Sequence, residues 1–341
     1  MALQASGQIK YSEIIAEFGT PNNGGLGEYR LSENVGSLSN LPLDTGVPQS
    51  GQIKFSDFYS KRLNQVVDLH SIGNNTSRQN AKNRWNNGNV HIVGSSKTGK
   101  TKPPNTNDDR VIINVNKTIR SAKGTQTHCA LRTGNWDSGT VLEIEIGTSG
   151  KLYGSGGNGG SGGNANETPG TDGQTGSSAL GIEYPCTVNN LGVIQSGYGG
   201  GGGGGGNTRT TGGGKKSGAV TNGSSGGGGG GGAGLPAGDA GGVQTPLSIG
   251  GGSAGSAGQA GSLSGQATGG AGGSEAGAGG NSSPVNNSAT KADNGTSPSG
   301  AASPGTGGNN GYAIITNQGS APSLSGGGTL TGRTITSTNP T

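Results

Sequence analysis

The stretch closest to a recognised chemical site is Gly94-Ser95-Ser96-Lys97-Thr98-Gly99-Lys100-Thr101. It has the GxxxxGK[ST] spacing of a phosphate-cradling loop, in which glycines bring backbone N–H groups to the phosphates and the lysine reaches across them. A strand-like run, Asn89–Val93, precedes it. That chemistry also needs a helix directly after the Lys-Thr pair, because the helix N-terminus holds the phosphates. Here the chain continues Lys102-Pro103-Pro104-Asn105 and then Thr-Asn-Asp-Asp, without apolar periodicity. Two prolines oppose a helix at that point. The expectation is a β-hairpin loop, not a nucleotide site.

Other reactive residues do not converge in sequence. His70, His91 and His128 are far apart. His128 and Cys129 are adjacent within a strand-like run, so their side chains point to opposite faces and form no dyad. Asp108-Asp109 suits a cation or a turn before a strand, and the turn is the commoner role. No pair of carboxylates stands out as a hydrolase site. The expectation is no catalytic residue, no metal, no cofactor and no enzyme. Cys129 and Cys186 form no CxxC; one bridge or two free thiols fit, and free thiols suit a protein assembled in a cytoplasm.

The sequence pI is near 9, but the densest basic stretch is only Lys97, Lys100 and Lys102, which reads as a solvated loop. No nucleic-acid partner is expected. No apolar stretch reaches 18 residues, so no membrane insertion is expected either. The opening Met1-Ala2-Leu3-Gln4-Ala5-Ser6 lacks a basic region followed by an apolar run, so the expected route out of a cell is lysis or its equivalent.

The elements that would position any site must be built from an unusual composition. Glycine supplies 79 of 341 residues, and only 26% are hydrophobic. One oily core cannot extend over the whole chain. Residues 1–62 hold a repeat: SGQIKYSEI at 6–14 and SGQIKFSDF at 50–58, with a weaker GEYRLSENV at 27–35. Ile9 and Tyr11, then Ile53 and Phe55, alternate with polar residues as in a short strand. Ser12 and Ser56 read as N-caps, with Glu13 and Asp57 in the first helical turn. Gly19 reads as a stop for a helix over 13–18. Each unit is too small to bury much alone. The repeat is therefore a small independent domain or a docking module that presents Ile9, Tyr11, Ile53, Phe55 and Phe58 to a partner.

Residues 63–150 read as a small β domain, with strands expected at 65–72, 89–94, 110–115, 128–132 and 140–146 between turn-forming clusters. Thr140–Ile146 sets Leu142, Ile144 and Ile146 against Val141, Glu143 and Glu145, the pattern of a half-buried antiparallel strand. A small β-sandwich fits.

Residues 151–341 are glycine-rich but patterned. A strand, a turn, a short apolar pair and a glycine tract occur at 142–162 and again at 186–206, with a partial third copy at 311–319. Further tracts are 226–232 and 250–280, the latter with Gly252, Gly255, Gly258 and Gly261 in threefold phase. That phase breaks at Ser264 and proline is nearly absent, which sets collagen aside. Three-residue helices with one or two rows of glycine can approach until backbone meets backbone, because only glycine lacks the Cβ that would intervene. The fold class expected is mainly β with irregular structure: a strand and short-helix module, a β-sandwich-like middle and packed polyglycine-type helices. A flexible linker is the alternative for this half.

The SGQI phrase resembles the opening of many structural proteins of tailed bacteriophages. The run from the 140–146 strand through KLYGSGGNGGSGG and TVNNLGVIQSGYGGGGGGGG resembles glycine-rich receptor-binding adhesins of phage tail fibres, over about residues 140–335. That resemblance implies a sandwich of polyglycine helices whose connecting loops touch the bacterial surface. The loops would be 207–220, 235–248 and 281–304. They carry Asn207, Arg209, Lys215, Lys216, Asp239, Asn286, Asn287 and Asn294. It implies a virion location on the tail, other tail or baseplate proteins as partners, a surface glycan or outer-membrane protein as receptor, and several copies per virion, with self-association open. A passive fibre, spike or decoration protein is the other structural reading. The N-terminal repeat departs from the adhesin pattern, so mounting directly on a baseplate or fibre is an alternative to capping another fibre.

Overall fold

The computed structural model describes residues 3–69, 73, 76–164, 169–203, 228–242, 303, 305–319, 321–336, 338 and 340. Of 207–211, 220–224, 252–253 and 262–263, as of Thr76, it describes strand backbone only. His70 lies outside the described residues.

Winding dominates the architecture. Three sheets share the chain in rotation, and each circuit lays one strand on each of them. Face one stacks Asn64–Asp68, Arg110–Val115, Val141–Ile146, Thr187–Asn190 and Ser323–Ser325. Face two stacks Thr76–Ser77, Thr118–Arg120, Lys151–Tyr153, Val193–Gln195 and Thr329–Thr331. Face three stacks Gln79–Asn80, Cys129–Arg132, Ser178–Ile182, Tyr312–Thr316 and Arg333–Ile335. The pairing within these stacks is parallel, giving a three-sided coil of five rungs. The expected antiparallel sandwich is therefore not what forms. Val141–Ile146 lies parallel to both neighbours, because the chain returns to face one only after visiting the other two. Position 150 falls inside the third rung, between the face-one strand Val141–Ile146 and the face-two strand Lys151–Tyr153.

Register explains why the strands alternate as they do. Val67, Ile113, Ile144 and Val188 stand in line on face one. Ile119, Leu152 and Ile194 stand in line on face two, and Leu131, Leu180 and Ile314 on face three. All ten are 0% exposed and form one interior cluster. The other parity faces out, as at Val141, Glu143 and Glu145. The first rung is covered by the helix Ala81–Asn86, whose Asn80 cap accepts from the Asn83 N–H. That helix seats Trp85 edge-on to Trp136 at 6.2 Å. The fifth rung is less covered, and Leu324 on it is 44% exposed.

Residues before the coil form a second core. Ile14, Phe18, Tyr29, Leu43 and Phe58 are fully buried together, with edge-on Phe18–Tyr29 and Tyr29–Phe58 contacts. The two SGQI copies fold alike at their start. Glu13 accepts from the Lys10 N–H at 2.7 Å, and Asp57 from the Lys54 N–H at 2.7 Å. One opens the helix Tyr11–Phe18 and the other the 3₁₀ turn Phe55–Phe58. Ser12 and Ser56 are thus inside the helical turn, not N-caps; the acid three residues beyond the cap does the capping. Gly19 ends the first helix as expected, its N–H bonded to Ile15. The third phrase reverses the order, with a 3₁₀ turn at Leu26–Tyr29 before a strand at Glu33–Val35.

The seam between this unit and the coil carries ionisable groups. Glu17 accepts from the Leu63 N–H at 2.7 Å, and Asp109 accepts from Gln65, which in turn accepts from Trp85 Nε1 at 2.7 Å. Burial pushes the Asp109 carboxyl up from 3.8 to about 6, with the Glu17 charge adding and the Gln65 bond opposing. The folded state therefore holds this proton more tightly than the unfolded one. Its contribution to stability is present at low pH and is lost as pH rises from about 4 through 6. Asp109→Asn should remove that slope from thermal midpoints measured across the interval; an unchanged slope would assign it elsewhere. In the coil, Ile144→Ala should cost about 2–5 kcal/mol in denaturant titration. The outward Val141→Ala should cost about 0.5 kcal/mol or less.

Candidate functional site

The phosphate-loop pattern is the first candidate, and its geometry excludes a phosphate cradle. Ser95–Thr98 is a single helical turn between left-handed Gly94 and Gly99, not a hairpin loop. Three of its N–H groups are already used: Lys97 and Thr98 donate to Gly94 O, and Gly99 donates to Ser95 O. Lys100 Nζ donates to Ala16 O at 2.5 Å, at the end of the N-terminal helix. The segment is a strut between the N-terminal unit and the coil. A Cβ at Gly19 would lie 2.7 Å from Thr98 O, which is why the helix stop there is glycine. His91 pairs with Glu33 at 2.9 Å, and His128 Nδ1 lies 3.1 Å from Lys123 O. Cys129 and Cys186 are both free thiols. Burial pushes the Cys186 thiol up to about 12, which leaves it unreactive. No cluster of three metal-ligating side chains occurs among the described residues.

The glycine tracts are the second candidate. They enter at the corner between faces two and three. In the first rung that corner is Arg78, and in the second it is the loop 121–128. In the third rung it expands to 154–177, and in the fourth to 196–311. Six tracts are described within these insertions: tract one at 154–162, two at 170–177, three at 197–203, four at 228–233, five at 236–242 and six at 305–311.

Their hydrogen bonds follow a period of three and run between tracts. Gly156, Gly159 and Gly162 donate to residues 236, 239 and 242 of tract five. The next residues, Gly157 and Gly160, donate to 198 and 201 of tract three. Gly197, Gly200 and Gly203 donate to 177, 174 and 171 of tract two, while Tyr198 and Gly201 donate to 233 and 230 of tract four. Gly305, Gly308 and Gly311 donate to 203, 200 and 197. The bonding order places tracts five, one and two in one row and tracts four, three and six in a second, staggered against the first.

This packing accounts for the glycine pattern. Tracts three and four are bonded to neighbours on three or four sides, and their residues 197–203 and 228–232 are buried. A Cβ at Gly199, Gly200, Gly202 or Gly203 would sit 1.9–2.1 Å from a carbonyl oxygen of tract one or six. A Cβ at Gly228, Gly229, Gly231 or Gly232 would meet the same obstacle at 2.0–2.1 Å. Apart from Tyr198 and Ala233, these two tracts are glycine throughout. Tracts two and six have exposed rows that hold Asp172, Gln174, Thr306 and Asn309.

The array stands on the second-rung loop. Ser121 Oγ accepts from the Ser155 N–H, Ser177 Oγ donates to Ala122 O, and Gln126 reaches Asn310 O. Tracts one, three and five run away from this floor; two, four and six return to it. The short turn joining tracts four and five, at 233–236, lies on the floor side, where Leu235 donates to Gly154 O. The long connections, 163–169, 204–227 and 243–304, all start and finish at the opposite end. On the second of these, Asn207–Thr211 pairs with Val220–Ser224 as an antiparallel ribbon.

The residues expected to bind are thus spread. Asn207 and Arg209 belong to that far-end ribbon. Lys215, Lys216, Asn286, Asn287 and Asn294 lie outside the described residues. Asp239 lies in the middle of tract five and pairs with Lys123 at 2.8 Å, near the floor. Of the expected docking residues, Ile9 and Phe58 are core, Tyr11 and Ile53 are half-buried, and Phe55 is 42% exposed. Tyr11 meets Phe55 edge-on at 6.5 Å. Sequence reading missed the floor loop and Asn310, whose side chain accepts from the Gly199 N–H. Nothing in the local sequence of either announces a role.

Gly200→Ala puts a methyl 2.0 Å from Asn158 O, where no rotamer can relieve it. It should destabilise the array by about 3 kcal/mol or more. Gly242→Ala, with its nearest atom at 3.6 Å, should be tolerated. Thermal melts with limited proteolysis of the glycine half would distinguish them; equal behaviour would refute the packing argument.

No curated protein sequence is similar enough to count as a relative. A solved structure, the gp37-gp38 adhesin tip complex of the bacteriophage S16 long tail fiber, is similar at 18% identity. The match covers 96% of this chain and 99% of that one, with a TM-score of 0.38. At that score the assignment rests on the sequence match alone. Residues 78–335, most of the coil and all six tracts, match the family described as phage tail fibre adhesin Gp38, and the chain belongs to that family.

Proposed function

We propose that this tail-fibre host-binding protein recognises its receptor with the far end of the glycine-tract array and is held on the virion through its N-terminal unit. The observation that carries the reading is one-sided: the tract ends that lead into and out of 163–169, 204–227 and 243–304 all lie at the end away from the coil. A rigid frame that gathers polar loops at one end is the usual arrangement for binding. Asn207, Arg209, Lys215, Lys216, Asn286, Asn287 and Asn294 supply amides and cations suited to a bacterial surface glycan or the polar loops of an outer-membrane protein. Asp239 is assigned to the frame instead.

Each tract is read as an extended threefold helix of the polyglycine type, and the three-residue period of the inter-tract bonds supports it. Residues 1–62 are assigned to attachment, with Tyr11, Ile53 and Phe55 as the apolar face still open to a tail or baseplate protein. The frame begins at 63, and the glycine-rich half from 151 carries recognition. Several copies per virion, assembled in the host cytoplasm, follow from this reading. It gives the protein no catalytic role.

Replacing residues 212–219 with a Gly-Ser linker of equal length should abolish binding of the full chain to the phage's propagating host while leaving the thermal midpoint within about 0.5 kcal/mol of equivalent stability. The unmodified chain should compete with infection. Undiminished binding by the linker variant would move recognition away from this ribbon, and failure of the unmodified chain to bind would favour a passive structural role.

A further inference from the structure

Lys123, Asn158 and Asp239 meet where the floor loop, tract one and tract five converge. Lys123 Nζ lies 3.2 Å from Asn158 Oδ1 and 2.8 Å from Asp239 Oδ2. The Asp239 backbone N–H donates to the same Asn158 Oδ1 at 2.8 Å. Two donors converging on one amide atom require it to be the oxygen, which directs the Asn158 NH₂ away from both. An amine, a carboxylate and a polarised carboxamide therefore share one point. They are also held there. Gly156, Gly159 and Gly162 tie tract one to tract five on either side of the pair, with the Gly159 N–H on Asp239 O itself.

We propose that Lys123 and Asn158 form an intramolecular amide cross-link, with Asp239 as the proton carrier. Asp239 takes a proton from Lys123 Nζ. The amine lone pair then attacks Asn158 Cγ, and the charge that develops on Oδ1 is held by the Asp239 N–H, as a backbone donor holds an oxyanion. The Asp239 carboxyl returns its proton to the carboxamide nitrogen and then takes the second proton from Nζ as the Cγ–Nδ2 bond breaks; that proton passes to the departing ammonia, which leaves as ammonium. One amide replaces another, so no oxidant or reductant is needed. Fixed placement of the two reactants supplies the rate enhancement that a bimolecular encounter would lack. The Lys123 side chain is 26% exposed, but that of Asp239 is 77% exposed, so water keeps the ion pair competitive with reaction. Only the uncharged amine attacks, and the link forms slowly near neutrality and faster as pH rises. The product ties the second rung to tract one across the base of the array and restricts the unfolded chain as a disulfide would.

The test uses the full chain, incubated in neutral and mildly alkaline buffer and followed by intact mass and tryptic peptide mapping. The expected result is loss of one ammonia together with a branched peptide joining the Lys123 and Asn158 segments. Because Asn158 precedes Gly159, ring closure to a succinimide would lose the same mass. Lys123→Arg separates the two: it preserves charge and hydrogen bonding but cannot form the amide, so the mass loss should vanish. Asp239→Asn should slow the reaction by at least tenfold, with the folded state checked by thermal melting. Separate linear peptides after prolonged alkaline incubation, or a mass loss that persists in Lys123→Arg, would overturn the proposal.

Discussion

Contact between bare backbones organises the C-terminal half of this protein. A threefold extended tract has no hydrogen-bond partner within itself, so its N–H and C=O groups must find other tracts or water. They find other tracts only if nothing stands between, and a single Cβ at Gly200 or Gly203 would lie about 2 Å from a carbonyl oxygen. Glycine is costly to order, since its unfolded state is the most diverse. A net contribution of about 1 kcal/mol per hydrogen bond does not cover the ordering of a lone tract. The array holds because each tract is bonded to at least two others, and tracts one, two, three and six begin or end on a coil already fixed by other means.

The coil provides that fixed start. Its interior is a stack of Val, Ile and Leu in parallel register, and its corners are the places where length can change without disturbing the stack. The first four rungs enlarge the same corner, from one residue to a loop to two insertions of glycine tracts, and the fifth returns it to Gly332 alone. The first tract of each insertion leaves face two and the last enters face three, so the up-and-down order of the tracts follows from the direction of the strands. That the tract ends flanking 163–169, 204–227 and 243–304 lie at the far end is a consequence of the same order.

Charge plays a small part in this frame. Arg110 joins Asp44 and Glu143, and Arg132 joins Glu183, each beside the coil surface. The Lys-rich loop that looked like a nucleotide site is spent on holding the N-terminal helix to the coil. A phosphate loop needs its N–H groups free to point at a ligand, and here the helical turn consumes those of Lys97, Thr98 and Gly99.

Much of the frame was legible in the residues. Strand positions such as Arg110–Val115 and the inward set Leu142, Ile144 and Ile146 follow from alternation, which depends only on the two-residue pleat. The need for glycine in packed tracts follows from the missing Cβ. The likeness of 142–162 to 186–206 was also visible, because these are equivalent positions on successive rungs. Alternation, however, says which face a residue takes and not which strand lies beside it. Parallel winding on three faces, in place of an antiparallel sandwich, was decided by long-range pairing across as many as 136 positions, as between Thr187 and Ser323. Only tertiary structure could make Tyr312–Thr316 a face-three strand instead of a third copy of the face-one and face-two pattern. It likewise set Asp239 beside Lys123, since 116 residues separate them and only the return of tract five to the floor closes that distance.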